Sequence, residues 1–329
     1  MNRREFIARI GGAAVAWPFA AHAQQPERMR RLGILLPSAE NDPEAQRRVT
    51  AFIKGLRELG WIVGTNIKID YRWAGADIVR IRGIAVELVK LNPDVILAET
   101  ALTVAPLQQI TSTIPIVFVQ LSDPVRSGFV ASLARPGGNI TGFTPAEFSM
   151  SGKMLEVLKE VAPQVSRVGV IYHPVQVPQV GMWHAIETAA PSLGVHVSAA
   201  NADNSDEITH IIEDFSREPG GGMIVLPSPV TIANSGLIIA LMARYRLPAA
   251  YTYPNFVRDG GLVSYGVDPV VQYRRAASYV DQVLKGTKPA DLPIQQPTQF
   301  DLAVNLKTAK ALGLAILESF LLRADEVIE

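Results

Sequence analysis

Short apolar runs and longer helical patterns alternate along the chain from Arg31 onward. Uninterrupted apolar runs or strict alternation predict strands over 32–36, 67–71, 95–98 and 116–119. Apolar residues at helical spacing predict helices between them, over 43–59, 77–91 and 101–110. Strands separated by helices of this length predict βαβ units, and therefore a parallel sheet with right-handed crossovers.

The same alternation restarts after Arg-Pro-Gly-Gly-Asn at 135–139, which indicates that a lobe boundary is near. The later strands are predicted over 167–172, 195–199, 223–226, 249–251, 262–265 and 299–305. The later helices are predicted over 178–193, 206–215, 232–245 and 268–284, with a helical tail after the last strand. The stretch 285–296, which contains several proline-bracketed turns, is typical of a linker.

These elements predict an α/β protein with two doubly wound parallel-sheet lobes joined by a multi-strand hinge. Residues 30–145 and 266–295 are assigned to lobe one, and residues 146–265 and 298–329 to lobe two. In this architecture a ligand binds in the cleft between the carboxyl ends of the strands.

The N-terminus has the three parts of an export signal. Arg3 and Arg4 open a twin-arginine pattern, a weakly apolar Gly/Ala-rich run follows over 10–21, and Ala21-His22-Ala23 resembles a cleavage site. An ordinary amphipathic helix is the alternative. The run is shorter than the roughly 18 residues of a spanning helix. The sequence therefore predicts removal of residues 1–23 and a soluble periplasmic product, exported by the twin-arginine or the general route.

Composition narrows the possible partners. Basic and acidic residues both number 31, which gives no indication of a nucleic-acid partner. Cysteine is absent, which excludes disulfides, thiolate metal sites, cysteine nucleophiles and an acylated N-terminal cysteine.

The usual signatures of catalysis are missing. Leu-Val-Ser-Tyr-Gly at 262–266 lacks the first glycine of a nucleophile elbow, and the glycines at 220–222 precede a strand instead of joining a strand to a helix. The histidines lack the spacing of a zinc site. The sequence therefore predicts a binding protein with no enzyme activity, metal or cofactor.

Candidate ligand-binding residues follow the predicted strand ends, where helix N-termini offer free N–H groups to an anion. Ser38 and Thr100 offer hydroxyls to a carboxylate, and Asp123 offers a partner to an ammonium group. The complete candidate set is Ser38, Thr100, Ala101, Ser122 and Asp123 in lobe one, with His173, Ser228, Tyr251 and Tyr265 in lobe two.

Each candidate also has a structural alternative. The Ser and Thr residues can be helix N-caps, and Asp123 before Pro124 can open a turn. Tyr251, Tyr253 and Tyr265 can stack on or wall off the apolar part of a ligand, or they can fill the core. The sequence leaves open whether Glu99 contacts a ligand or is a surface charge.

Several sequence blocks together resemble one family, the ABC-transporter substrate-binding proteins that include tryptophan- and tyrosine-binding members. The blocks are GLRELGW at 55–61, DYRWA at 70–74, IPIVF at 114–118, DPV at 123–125, LARPGGNITG at 133–142, GGLVSYG at 260–266, YRRAA at 273–277 and LAVNLKTAK at 302–310. The resemblance extends from about Arg31 to Glu329 and implies a type I periplasmic-binding-protein fold. Members often carry Asn-Pro after the first strand of lobe two, where this chain has His173-Pro174.

The resulting hypothesis is capture of a small molecule, an amino acid or an aromatic acid, for the inner-membrane permease of an ABC importer. The protein is expected to be a monomer or a weak dimer. The alternatives are a periplasmic sensor acting on a membrane receptor without transport, and an enzyme or repressor effector domain on the same fold. A repressor requires a DNA-binding helix-turn-helix, whereas this N-terminus has the pattern of an export signal.

Overall fold

The computed structural model describes residues 28–75, 77–145, 148, 150–173 and 177–329. The predicted export signal over 1–23 lies outside these residues and stays a prediction.

The strands are named in chain order. They are β1 (Arg30–Leu36), β2 (Ile67–Trp73), β3 (Val95–Glu99), β4 (Ile116–Val119), β5 (Ile140–Phe143), β6 (Arg167–Tyr172), β7 (His196–Asn201), β8 (Gly221–Val225), β9 (Ala249–Tyr251), β10 (Val263–Gly266), β11 (Asp301–Asn305) and β12 (Glu326–Ile328).

The α-helices are named in the same way. They are α1 (Pro43–Glu58), α2 (Ile78–Lys90), α3 (Thr100–Ile110), α4 (Met150–Val161), α5 (Val177–Ala189), α6 (Ser205–Ser216), α7 (Pro229–Ala233), α8 (Ser235–Arg244), α9 (Pro254–Arg258), α10 (Pro269–Leu284), α11 (Leu306–Leu312) and α12 (Glu318–Leu321).

Lobe one is built on a parallel sheet in the order β2-β1-β3-β4-β5. Residues 32–36 of β1 are all buried, as expected for a central strand covered on both faces. The sequence pattern did not predict β5, because Thr141 and Gly142 interrupt its apolar run. Pairing with β4 makes this segment a strand.

Helices cover both faces of this sheet, with α1 and α10 on one face and α2 and α3 on the other. The Asp42 carboxylate caps α1 by accepting from the backbone N–H groups of Glu44 and Ala45. The contact between α1 and α10 is so close that a Cβ at Gly55 would lie 2.8 Å from the carbonyl oxygen of Arg274. Glycine at this position therefore allows the approach that places α1 beside α10.

Lobe two is built on a sheet in the order β12-β11-β10-β9-β8-β6-β7. The predicted two-lobed α/β fold is confirmed, with one difference in detail, because β11 runs antiparallel to β10. The chain enters β11 from the linker that returns from lobe one. No crossover helix on the second sheet connects β10 to β11, so the direction of β11 is reversed.

Helices again cover both faces. The first face carries α4, α5, α11 and α12, and the second carries α6, α8 and α9. The single helix predicted over 232–245 is instead α7 and α8, because the backbone at Asn234 (φ −107°, ψ 21°) leaves the helical region. The pattern also missed α4, α9 and β12.

The chain passes between the two lobes after β5, after β10 and before β11. The backbone N–H of Thr144 donates to the carbonyl of Gln295 at 2.9 Å. The backbone N–H of Asp268 donates to Oδ2 of Asp301 at 3.1 Å. These bonds hold the three passages side by side, as a hinge requires.

Among the described residues, no helix is long and apolar enough to cross a membrane. The His, Asp and Glu side chains of these residues also form no cluster of three or more suited to a metal ion.

Candidate ligand-binding site

The carboxyl ends of β1, β3 and β4 lie side by side at one edge of the lobe-one sheet, because all three strands run parallel. Each strand is followed by a polar segment that contains a predicted site residue. These residues are Ser38 after β1, Thr100 after β3 and Asp123 after β4. This edge is where an open parallel sheet binds ligands.

A buried ion pair lies at the centre of this edge. Nη2 of Arg48, on α1, is 3.4 Å from Oε1 of Glu99, the last residue of β3. Glu99 is only 5% exposed. Burial by itself would lower the pKa of the Arg48 guanidinium, but the nearby Glu99 carboxylate and weaker contributions from its neighbours raise that pKa above its ordinary value. Arg48 therefore stays charged although it is largely buried.

Four buried polar atoms around this pair make no hydrogen bond of 3.5 Å or less to another described residue. They are Nε of Arg48, Oε2 of Glu99, Oγ1 of Thr100 and the hydroxyl of Tyr273. The Tyr273 ring, on α10, lies under the Arg48 guanidinium, with 5.8 Å between the guanidinium carbon and the ring centroid. Burial and then the charge of Glu99 hold the pKa of Tyr273 well above its ordinary value. Buried polar groups in proteins are normally hydrogen-bonded, so this concentration is unusual.

The backbone at the same edge is strained. Thr100, Gln120 and Asp123 have φ values of +63°, +55° and +45°. These values are unusual for residues with side chains, and most of all for a β-branched residue such as Thr100. Strained residues tend to cluster at binding sites.

A chain of side-chain hydrogen bonds connects lobe two to this edge. The hydroxyl of Tyr253, which precedes α9, donates to Oε1 of Gln120 at 3.1 Å. Nε2 of Gln120 donates to Oε1 of Gln272, and Nε2 of Gln272 donates to the carbonyl of Thr144 at 2.5 Å. The chain of bonds therefore ends at the first passage between the lobes.

Tyr253 also interacts with the charges of the ion pair. Burial raises the pKa of Tyr253 to about 12, while the charge of Arg48 lowers it and the charge of Glu99 raises it by smaller amounts. The lobe-two tyrosine thus faces the buried charges of lobe one.

The facing edge of lobe two is largely hydrogen-bonded within itself. Ser228 is 3% exposed and forms a capping box with Thr231 at the start of α7. The backbone N–H of His173 donates to the side chain of Gln179, which in turn donates to the carbonyl of Pro227 at 2.7 Å. Nε2 of His173 lies 3.0 Å from Oδ1 of Asp203, and Nδ1 of His173 is buried without a partner among the described residues.

The two predicted lobe-two tyrosines have different surroundings. Tyr251 is 1% exposed and stacks on Phe256 in the core of lobe two. Burial raises its pKa, with no contribution from Arg48 or Glu99. Tyr265 is half-buried and stacks on Phe300, with 6.0 Å between the ring centroids.

The remaining predicted residues of lobe one lie at the site edge in different roles. Ser38 is half-buried, and its carbonyl accepts from the backbone N–H of Gly75. Ala101 is exposed in the first turn of α3, and Ser122 is half-buried. Asp123 accepts from the backbone N–H of Arg126 at 3.1 Å, so one oxygen of its carboxylate stabilises its own turn.

Sequence reasoning missed Arg48, Gln272 and Tyr273 as site residues, and it left Glu99 undecided. A signal for Arg48 was present, since it interrupts the buried face of α1 formed by Ala45, Val49 and Phe52. A charged residue on such a face needs a buried partner, and Glu99 fills that role. Tyr273 gave no such signal, because an aromatic residue on the buried face of α10 is ordinary.

Two open grooves of about 640 and 510 Å³ lie elsewhere, on either side of the edge strand β2. Both are lined by Glu40, Tyr71 and Trp73, and all their other lining residues also come from lobe one. Neither groove is lined by a residue of lobe two. At the edge around Arg48 and Glu99, by contrast, Tyr253 of lobe two bonds to Gln120 of lobe one.

Comparison with known proteins identifies close similarities. The family described as ABC transporter substrate binding protein matches residues 40–328. A tyrosine-binding protein of Clostridioides difficile strain R20291 is 27% identical over 273 residues, which cover 83% of this chain and 78% of that protein.

Solved structures agree with this. A conserved domain protein from Vibrio cholerae O1 biovar El Tor strain N16961 superimposes with a TM-score of 0.82 at 26% identity, over 91% of this chain and 100% of that chain. An ABC domain from Streptococcus pneumonia in complex with L-Trp has a TM-score of 0.81 at 22% identity, over 91% of this chain and 99% of that chain. The second similarity supports the fold alone.

Proposed function

Because this chain belongs to the ABC transporter substrate-binding protein family, we propose that it captures an amino acid or an aromatic acid in the periplasm and delivers it to the permease of an ABC importer. The family consists of ligand-binding proteins, and the chain is not an enzyme.

The observation that carries the proposal is the incompletely satisfied edge of lobe one. Arg48, Glu99, Thr100 and Tyr273 each present a buried polar atom without a partner among the described residues, and the pKa of Tyr253 in lobe two responds to the charges of Arg48 and Glu99. A ligand held between the lobes would supply those partners. Its contacts with both lobes would favour a closed arrangement about the hinge.

The proposed ligand class is supported by the similarity to the tyrosine-binding protein of Clostridioides difficile, which is 27% identical over 273 residues. The candidate residues Ser38, Ala101, Ser122, His173 and Tyr265 are proposed to line the same cleft, because each lies at or just after the carboxyl end of a strand. Export through the signal at 1–23 would place the mature chain, as a monomer or weak dimer, where such a permease collects its ligand.

A thermal-shift screen tests the proposal. The mature protein is heated with each of the common L-amino acids, with aromatic carboxylic acids, and with sugars and polyols as a comparison group. A true ligand at 100 times its Kd should stabilise the native state by about 2.7 kcal/mol and raise Tm accordingly. Stabilisation by sugars alone, or by no compound, would contradict the proposed ligand class.

The location is tested separately. Protein recovered from the periplasm should begin at Gln24, directly after Ala21-His22-Ala23. A full-length product confined to the cytoplasm would refute export.

A further inference from the structure

The four unpartnered atoms around the ion pair differ in the hydrogen bonds that they can form. Nε of Arg48 can only donate, and Oε2 of an ionised Glu99 can only accept. The hydroxyls of Thr100 and Tyr273 can do either. A ligand group that satisfies all of them must therefore carry both donors and acceptors close together.

The charges of Arg48 and Glu99 further limit the kinds of ligand group that fit beside them. Arg48 and Glu99 carry opposite charges, so the pair as a whole is neutral. A ligand that carries only a carboxylate would add an unbalanced negative charge beside the buried Glu99. A group with an ammonium and a carboxylate on neighbouring atoms adds no net charge and gives each member of the pair an opposite partner.

We infer that Arg48 and Glu99 form the ionic receptor of the site. Oε2 of Glu99 accepts from a ligand ammonium, and Nε of Arg48 donates to the ligand carboxylate. The hydroxyls of Thr100 and Tyr273 complete the contacts. The site therefore selects a zwitterionic α-amino acid over the corresponding aromatic acid, and Glu99 takes the ammonium-binding role that the sequence had suggested for Asp123. This inference rests on the proposed function.

The position of Asp123 supports this assignment. One oxygen of its carboxylate already accepts from the backbone N–H of Arg126 within its own turn. Glu99, by contrast, is buried at the end of a central strand, with one oxygen paired and the other unpartnered among the described residues. Because Glu99 is removed from water, the attraction between its carboxylate and an opposite charge is stronger than at the partly exposed turn of Asp123.

Calorimetry on three single variants tests the inference. The probes are L-tyrosine and L-tryptophan, each measured beside the same molecule without its ammonium group, desaminotyrosine and indolepropionate. Wild type should bind each amino acid about 30-fold or more tighter than its deaminated counterpart. Glu99→Gln should weaken the amino acids by a similar factor and change the affinity for the deaminated acids less than threefold.

Two tyrosine variants provide a matched pair if Glu99→Gln fails to fold. Tyr273 and Tyr251 are both buried with an unpartnered hydroxyl, but only Tyr273 lies beside Arg48 and Glu99. Tyr273→Phe should keep the unfolding free energy and weaken amino-acid binding about 2- to 12-fold, the loss of one hydrogen bond. Tyr251→Phe should leave the affinity unchanged.

The remaining outcomes are distinguishable. Equal losses for amino acids and deaminated acids in Glu99→Gln, or equal effects of the two tyrosine variants on affinity, would overturn the ionic receptor while the proposed function stands. If wild type binds none of the four probes and no other amino acid or aromatic acid, the proposed function fails, and the inference fails with it.

Discussion

The two sheet edges that face each other across the hinge have been completed in different ways. The lobe-one edge carries the buried pair Arg48–Glu99, three residues with left-handed backbone and four polar atoms that have no partner in the described part of the chain. The lobe-two edge is largely completed by its own bonds, such as the Ser228 capping box. Nδ1 of His173 and the hydroxyls of Tyr251 and Ser264 are also unpartnered among the described residues, but the two hydroxyls belong to side chains that are buried in the body of lobe two.

Because of this difference, we expect the two lobes to make different contacts with a ligand. A polar edge that is unsatisfied and strained gains most from a ligand, so lobe one is expected to bind the charged end of the ligand first. Lobe two then supplies a preformed surface, with Tyr253 reaching across to Gln120.

The largest expected effect comes from breaking the buried charge pair. Arg48→Met leaves the Glu99 carboxylate buried without its ionic partner, and the unfolding free energy should fall by about 3–5 kcal/mol. Urea denaturation followed by circular dichroism measures the loss. In lobe two, Asp203→Asn removes the contact with His173, but Asp203 is mostly exposed, so the loss should stay below about 1 kcal/mol.

The double variant Arg48→Met/Glu99→Leu is the control for this prediction. It removes both charges and should recover most of the lost stability, because apolar replacement of a buried pair is often neutral. Similar losses for Arg48→Met and Asp203→Asn would mean that the two edges do not differ in buried charge.

A smaller effect is expected where the lobes touch. Tyr253→Phe removes the hydroxyl that donates to Gln120, and the unfolding free energy should fall by about 0.5–1.5 kcal/mol at neutral pH. Burial raises the pKa of Tyr253 to about 12 in the folded protein, above its ordinary value of 10.0. Its contribution to stability is therefore complete below pH 10 and is lost as the pH rises towards 12.

Urea denaturation of wild type and Tyr253→Phe between pH 8 and about pH 12 measures both parts of this prediction. The variant should lose less stability than wild type over the upper part of this range. Parallel curves for the two proteins would show that the Tyr253 hydroxyl is not protected from ionisation by the folded state.

The smallest effect on stability concerns backbone strain. Thr100 in lobe one and Arg246 in lobe two have similar φ values, +63° and +54°, but only Thr100 lies at the site edge. Glycine relieves the strain but makes the unfolded chain more flexible, so both Thr100→Gly and Arg246→Gly should change the unfolding free energy by no more than about 1 kcal/mol.

The two glycine variants should differ in their affinity for the ligand. Thr100→Gly removes a hydroxyl from the site and should weaken the best ligand of the thermal-shift screen about 2- to 12-fold, whereas Arg246→Gly should not. Calorimetry decides between them. Unchanged affinity in Thr100→Gly would mean that its strain belongs to the β3–α3 junction alone.

Sequence reasoning could predict the strand ends at which the candidate site lies, but not the contacts between its side chains. The ends of β3 and β4 were predicted, and they brought Thr100 and Asp123 into the candidate set. Sequence reasoning proposed Asp123 as the partner of an ammonium group and left Glu99 open between a ligand contact and a surface charge, because the pattern gives no burial for an acidic residue at a strand end. Burial of Glu99 against Arg48 and the turn bond of Asp123 become visible only when α1 is packed on the sheet.

The sequence by itself determined the features that depend on local order along the chain. Apolar periodicity determined the alternation of strands and helices, and the absence of catalytic signatures indicated a binding protein. The tertiary structure alone decided the features that depend on distant segments. These include the strand β5, the reversed direction of β11 and the meeting of Arg48, Glu99 and Tyr273 from three separate elements. The physical reason is that pairing energy and buried charge depend on distances between residues far apart in sequence, which periodicity does not encode.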